Sequence, residues 1–185
     1  MVRNVVTNIV IVGVGGQGVL TLAKWIGEAA LVEGFDVRIA EVHGMSQRGG
    51  SVEVHVRYGS EIYSPIVEEG DADVVIALEA LEALRGLRYV KHDGVLVINR
   101  RLIPLPNVRL SLDEVIKTIE KSGARYLVIP AFEIALKLGS PIYENSVTLG
   151  FVCALLGLPM PPGLDDKNQT AFRTGVSIYN SSAFY

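Results

Sequence analysis

The sequence predicts an α/β fold: an open, mostly parallel Rossmann-like sheet with helices on both faces and an antiparallel strand at its edge. Three observations predict it. Short β-branched runs alternate with segments of helical period along most of the chain, the pattern of a parallel sheet wound through helices. Runs such as "NIVIV" (8–12) and "DVVIAL" (73–78) are apolar at consecutive positions, so both of their faces are covered. One run, "SVEVHVRYG" (51–59), instead alternates, with Val52, Val54 and Val56 on one side and Glu53, His55 and Arg57 on the other, as a half-exposed antiparallel edge strand does.

Taken in order, the first strand at 8–12 ends in glycines. A helix follows over 17–32, with Leu20, Ala23, Ile26 and Ala30 at helical spacing and Gly34 as the stop. "FDVRIAEV" (35–42) is the next strand, so the opening unit is strand, glycine turn, helix, strand, and a right-handed crossover is its default topology. After the alternating strand, "EIYSPI" (61–66) reads as a hairpin partner that Pro65 restricts to an edge or a turn. "DVVIAL", a helical "EALEALRGLRYV" (79–90) and a strand "GVLVINRR" (94–101) come next, then a proline-bearing loop over 101–111. Ser111 with Glu114 three residues on is a capping box opening a helix that Gly123 ends. A strand in "ARYLVIPA" (124–131), a short helix in "FEIALKLG" (132–139) and a buried helix opened by Asn145 or Ser146 and ended by Pro159 complete the pattern. Residues 1–185 read as a single domain without a linker or repeat, and 159–185 as a polar, turn-rich C-terminal tail with one short helix around 167–179.

Composition excludes several functions. A net charge of -3 and a pI near 5.6 leave no basic footprint for nucleic acid or anionic lipid. Arg100 and Arg101 form the one adjacent basic pair, read as a solvated strand end or a partner contact. No apolar run is long enough for a membrane span and the N-terminus reads as a strand rather than a leader, so the expected compartment is the cytoplasm. Hydrophobic residues make up 49% of the chain, which suits a sheet covered on both faces or a surface buried against partners. The single cysteine, Cys153, lies in an apolar run and reads as an inert buried thiol; one cysteine holds neither an iron–sulfur cluster nor a tetrahedral zinc.

Two glycine loops carry the candidate chemistry. Gly13, Gly15 and Gly18 satisfy G-x-G-x-x-G between a strand and a helix, where backbone amides can receive a pyrophosphate or another anion. Glu41 ends the second strand where a ribose-binding carboxylate would sit, which makes a nicotinamide, flavin or S-adenosylmethionine site one reading. A tight packing turn is the other, and Gly16 and Gln17 add a loop that could equally face a neighbouring subunit. In "HGMSQRGGSV" (43–52), Gly49 and Gly50 close a turn behind Ser46, Gln47 and Arg48, placing a hydroxyl, an amide and a guanidinium on one loop suited to a carboxylate or phosphate, or serving only local capping. His43, His55 and His92 are not at metal-ligand spacing, and Glu79 with Glu82 reads as a solvated helix face.

The "GVGGQG" turn, the "GMSQRGG" loop, "DADVVIALEALEAL", "GVLVINRRLIP", "IPAFEIALKLGSPIYENSVTLGFVCALLGLP" and "NQTAFRTG" occur in one order along nearly the whole chain. In these residues the chain resembles the gamma subunits of the 2-oxoacid:ferredoxin oxidoreductases, most of all the small-subunit type of the indolepyruvate enzymes. The resemblance implies a complex that oxidatively decarboxylates an aryl 2-oxoacid, passes the acyl group to coenzyme A and reduces ferredoxin. It implies thiamine diphosphate, magnesium and iron–sulfur clusters on a larger partner subunit, with none bound by this chain alone. Gly70-Asp71-Ala72 is the nearest approach to the thiamine-type GDG sequence and departs from it. The resemblance assigns no catalytic side chain here. The residues bet on for substrate, coenzyme A or partner contact are Gly13, Gly15, Gly16, Gln17, Gly18, Ser46, Gln47, Arg48, Gly49 and Gly50. The competing expectations are a freestanding NAD-binding oxidoreductase using Glu41 and a subunit that is purely structural.

Overall fold

The computed structural model of the chain describes residues 6–43, 50–104 and 110–181. Its strands are β1 (Thr7–Val14), β2 (Asp36–His43), β3 (Ser51–Gly59), β4 (Ala72–Ala77), β5 (Val90–Asn99) and β6 (Tyr126–Ile129). The helices are α1 (Val19–Val32), α2 (Ala80–Gly86), α3 (Leu112–Ser122), α4 (Ala131–Lys137), α5 (Glu144–Leu156) and α6 (Asp166–Ser181). The strands form one sheet in the order β2-β3-β1-β4-β5-β6. β1, β4, β5 and β6 are parallel, while β3 is antiparallel to both β1 and β2.

The consecutive apolar positions do cover two faces. Ile9, Ile11, Val74, Ile76 and Val97 pack with Leu22 and Ile26 of α1 and with Val147, Phe151 and Val152 of α5. Their neighbours Val10, Val12, Val75, Leu96 and Ile98 pack on the other side with Ala83 of α2 and Val115 and Ile119 of α3. The period-2 geometry of a strand therefore supplies both cores from one apolar run. The expected capping box is present: Ser111 Oγ accepts from the Glu114 amide and Glu114 accepts from the Ser111 amide, and Gly123 ends α3 with φ +75°.

The sheet edge is antiparallel as expected, but the edge strand is β2, and residues 51–59 lie one place further in. Both backbone edges of β3 are thus taken, so 61–66 cannot add as a hairpin strand and carries no regular structure. It folds instead across the polar side chains of β3: Arg57 donates to the Ser64 carbonyl at 3.0 Å, and the Val67 amide donates to His55 Nδ1 at 2.9 Å. The polar side of β3 is consequently covered, with His55 1% exposed.

Because His55 Nδ1 accepts from Val67, its Nε2 carries the hydrogen donated to Glu53 Oε1 at 2.9 Å. Tyr89 and Arg88 also donate to Glu53, at 2.6 and 3.0 Å. Burial alone would raise the carboxyl, but the hydrogen bonds from His55, Tyr89 and Arg88 outweigh it and hold the group down from 4.5 to about 2. A depressed carboxyl stabilises the fold above its unfolded value and loses that contribution as the pH falls through its folded value. Glu53→Gln is therefore expected to lower stability near neutral pH by on the order of 2 kcal/mol, a difference that closes between about pH 4.5 and 2 in urea titrations run down the pH scale.

α6 spans 16 residues, longer than the short helix expected in the tail. Phe172 is buried and Tyr179 meets the Phe151 ring edge-on at 5.5 Å. Cys153 is buried in α5, and burial pushes its thiol up to about 12. It should resist a thiol reagent in native buffer and react at an ordinary rate in urea; rapid native labelling would contradict this packing.

Candidate functional site at the carboxyl ends of the strands

β1 feeds α1 on one face of the sheet, whereas β4 feeds α2 on the other, so the chain reverses its winding between these neighbouring strands. The crevice beyond their carboxyl ends is where open α/β sheets bind ligands. It is occupied here by the first glycine turn.

That turn is held from within. Gln17 folds back, its Oε1 accepting from the Val14 amide at 2.7 Å and its Nε2 donating to the Leu78 carbonyl at 3.2 Å. The Gln17 amide donates to the Val14 carbonyl at 3.0 Å. Gly13 leaves room for this arrangement, because a Cβ there would lie 2.9 Å from Val19 and 3.1 Å from Gln17 Oε1. The Gly15 amide donates to the Gly50 carbonyl at 2.9 Å, which joins the turn to the end of the second glycine loop. Gly16 (φ +100°) is exposed, with open space where a side chain would stand, and the amides of Gly16 and Gly18 take no partner among the described residues. Among the described residues α1 begins with neither a side-chain cap nor an acidic residue in its first turn.

Of the candidate residues, the structure brings Gly13, Gly15, Gly16, Gln17, Gly18 and Gly50 together. Ser46, Gln47, Arg48 and Gly49 lie outside the described residues. The strands flanking them, β2 and β3, end and begin at the same margin of the sheet, where Ser51 pairs with Val14.

Residues to which local pattern gave no part in the site complete it. Asn145 was expected as a helix cap; α5 in fact starts at Glu144, after a 3-10 turn capped by Ser140. Asn145 Nδ2 instead donates to the carbonyls of Gln17 at 2.8 Å and Gly18 at 3.2 Å. Asn99, at the end of β5 and 1% exposed, donates to the Leu78 carbonyl at 3.4 Å and to Glu144 Oε1, and accepts from the Phe132 amide at 3.2 Å. Hydrogen bonds link Asn145 to Gln17, Gln17 to Leu78, Leu78 to Asn99 and Asn99 to Glu144, and the peptide bond from Glu144 to Asn145 closes the ring across the ends of β1, β4 and β5. Arg101 donates to Glu144 Oε2 and lies 4.4 Å over the Phe132 ring, so this half of the basic pair is a half-buried ion-pair partner and not a free strand end. Burial raises the Glu144 carboxyl, against the pull of Arg101 and Asn99.

A cleft of about 600 Å³ opens beside this ring, lined by the turn at Gly16–Gly18, by Thr21 and Trp25 of α1, by Arg101, and by Ile142, Asn145 and Asn168. Glu144 lines it too, so Arg101 meets the cleft as one half of an ion pair, beside the indole of Trp25 and the amide groups of the turn, Asn145 and Asn168.

Glu79 and Glu82, read as a solvated helix face, are buried. Glu79 accepts from the amides of Glu82 and Ile103 at 3.0 and 2.9 Å, and Glu82 from Ser51 Oγ. Glu41 stands opposite Val54, which stands opposite Ile11, so β3 separates it from β1 and from the glycine turn. That geometry does not form the ribose site of a dinucleotide fold. Asp71 accepts from Asn8 Nδ2 at 2.9 Å. Among the described residues no group of three His, Cys, Asp or Glu could hold a metal ion, and the one cysteine is buried.

Residues 8–179 match the family described as pyruvate ferredoxin/flavodoxin oxidoreductase, and the chain belongs to it. It is 40% identical to indolepyruvate oxidoreductase subunit IorB of Thermococcus kodakarensis, covering 91% of this chain and 94% of that protein. It is 44% identical to the same subunit of Archaeoglobus fulgidus, covering 82% and 78%. Among solved structures, a keto/oxoacid ferredoxin oxidoreductase gamma subunit from Geobacter sulfurreducens shares the fold with a TM-score of 0.68 at 21% identity, covering 95% of this chain and 99% of that one. The 2-oxoglutarate:ferredoxin oxidoreductase of Magnetococcus marinus, solved with 2-oxoglutarate, coenzyme A and succinyl-CoA, matches with a TM-score of 0.74 at 19% identity over 97% of this chain and 32% of its own.

Proposed function

We propose that this chain is the small subunit of an indolepyruvate:ferredoxin oxidoreductase. The observation that carries the reading is 40% identity to subunits of that name over nearly the full length of both chains. In the complex an aryl 2-oxoacid loses carbon dioxide, its acyl group passes to coenzyme A, and the two electrons released reduce ferredoxin. Thiamine diphosphate, magnesium and the iron–sulfur clusters belong to the larger subunit, and the one cysteine of this chain is too few to hold a cluster. No helix among the described residues is long and apolar enough to cross a membrane, and a cytoplasmic complex suits this composition.

The chain's own part is to close the reaction compartment at its glycine loops. The Gly15–Gly18 backbone offers neutral donors, and Arg48, with Ser46 and Gln47, binds the 2-oxoacid carboxylate or a coenzyme A phosphate as a forked donor. Capture of the tagged chain from native lysate should bring down a larger iron- and thiamine-bearing subunit that oxidises indolepyruvate faster than pyruvate with ferredoxin. A chain that stays alone and takes up NAD would overturn the reading. In the intact complex, Arg48→Ala should lower kcat/KM by about a hundredfold, in the range of a lost charge-assisted contact; unchanged kinetics would leave a purely structural subunit.

A further inference from the structure

We propose that Asn145 is a positioning residue, setting the backbone of the Gly15–Gly18 turn for the anionic substrate of the complex. The inference rests on the subunit reading above.

Asn145 is the second residue of α5 and does not cap it; its Nδ2 reaches two successive carbonyls of the turn, Gln17 and Gly18. The approach is close enough to dictate the residue opposite. A Cβ on Gly18 would stand 2.5 Å from that nitrogen, and Gly18 already holds φ +74°. The Gly18 carbonyl also accepts the first intrahelical bond of α1, from Leu22 at 3.0 Å, so Asn145 fixes the turn and the start of the helix at one atom. From the opposite side Gln17 ties the same turn to Val14 and Leu78. The turn is thereby gripped on both sides while Gly16 at its crest stays exposed over the cleft. Fixing donors before a ligand arrives is how a site avoids reorganisation when the ligand binds. The preceding residue, Glu144, holds Asn99 and Arg101, so the first two positions of α5 orient the turn after β1 and the loop after β5 together.

The test uses the assembled complex carrying Asn145→Ala and, in parallel, Asn145→Leu, which keeps the volume and removes the donor without adding a charge. Steady-state constants are measured separately for indolepyruvate and for coenzyme A, with ferredoxin as acceptor. The expected result is a KM raised about tenfold for one of the two anions in both variants, with kcat lowered less than about threefold. The anion whose KM moves is the one the turn serves. Unchanged KM values, or a fall in kcat alone, would overturn the positioning role. Failure of the wild-type chain to join a larger subunit would overturn the subunit reading instead, so the two failures are distinct.

Discussion

Gly175→Ala is expected to lower stability by about 3 kcal/mol, with a fall in Tm of about 10 °C by thermal denaturation. The cause lies in how α6 meets α5. A Cβ on Gly175 would fall 2.0 Å from the Val147 carbonyl and 2.8 Å from the Phe151 nitrogen, and one on Gly150 would fall 1.9 Å from the Phe172 carbonyl. Each helix presses its glycine against the backbone of the other, and backbone cannot turn aside as a side chain can. The helices must separate to admit a methyl group, loosening Phe151 and Phe172, both buried. Gly163→Ala is the contrasting substitution, since φ +82° strains it but nothing lies within 4 Å of the added atom; its cost should be nearer 1 kcal/mol. Equal losses at the two positions would mean that helix contact is not what Gly175 protects.

Asn99→Leu is expected to cost about 3 kcal/mol despite near-equal volume, measured by urea unfolding. The leucine removes the donor to Glu144 and Leu78 and the acceptor for the Phe132 amide, all at a position 1% exposed. Glu144 then keeps Arg101 as its charged partner in a site where burial already raises its carboxyl. Glu144→Gln in the same background should recover part of the loss, giving a coupling above about 1 kcal/mol in a double-mutant cycle. Additive losses would show that Asn99 acts on the backbone alone and that the ring is not a unit.

Much of the fold could be read along the chain, because its signals are local. The Ser111–Glu114 capping box and Gly123 terminator needed only spacing, and the apolar blocks around Ile9 and Ile76 needed only composition. The glycine turn was legible for the same reason: Gly13, Gly15 and Gly18 lie within one short stretch. Gln17 was legible as a candidate but not in its inward role, which depends on Leu78 arriving from β4. His55 could be placed on the polar face of its strand but not under cover, because alternation reports two different faces without saying what covers either; the covering segment at 60–71 has no periodicity of its own.

The sequence by itself determined the α/β class, the order of strands and helices, the glycine turn and the family resemblance, since each is written in neighbouring residues or in their order. The tertiary structure decided that β3 inserts between β2 and β1, that Glu41 stands away from the turn, and that Asn145 grips Gln17 across 128 positions of chain. Hydrogen bonds between the ends of different strands have no sequence period to announce them. They exist only once parallel winding brings the carboxyl ends of β1, β4 and β5 to one margin of the sheet, and a buried amide there must find partners among whatever that margin presents.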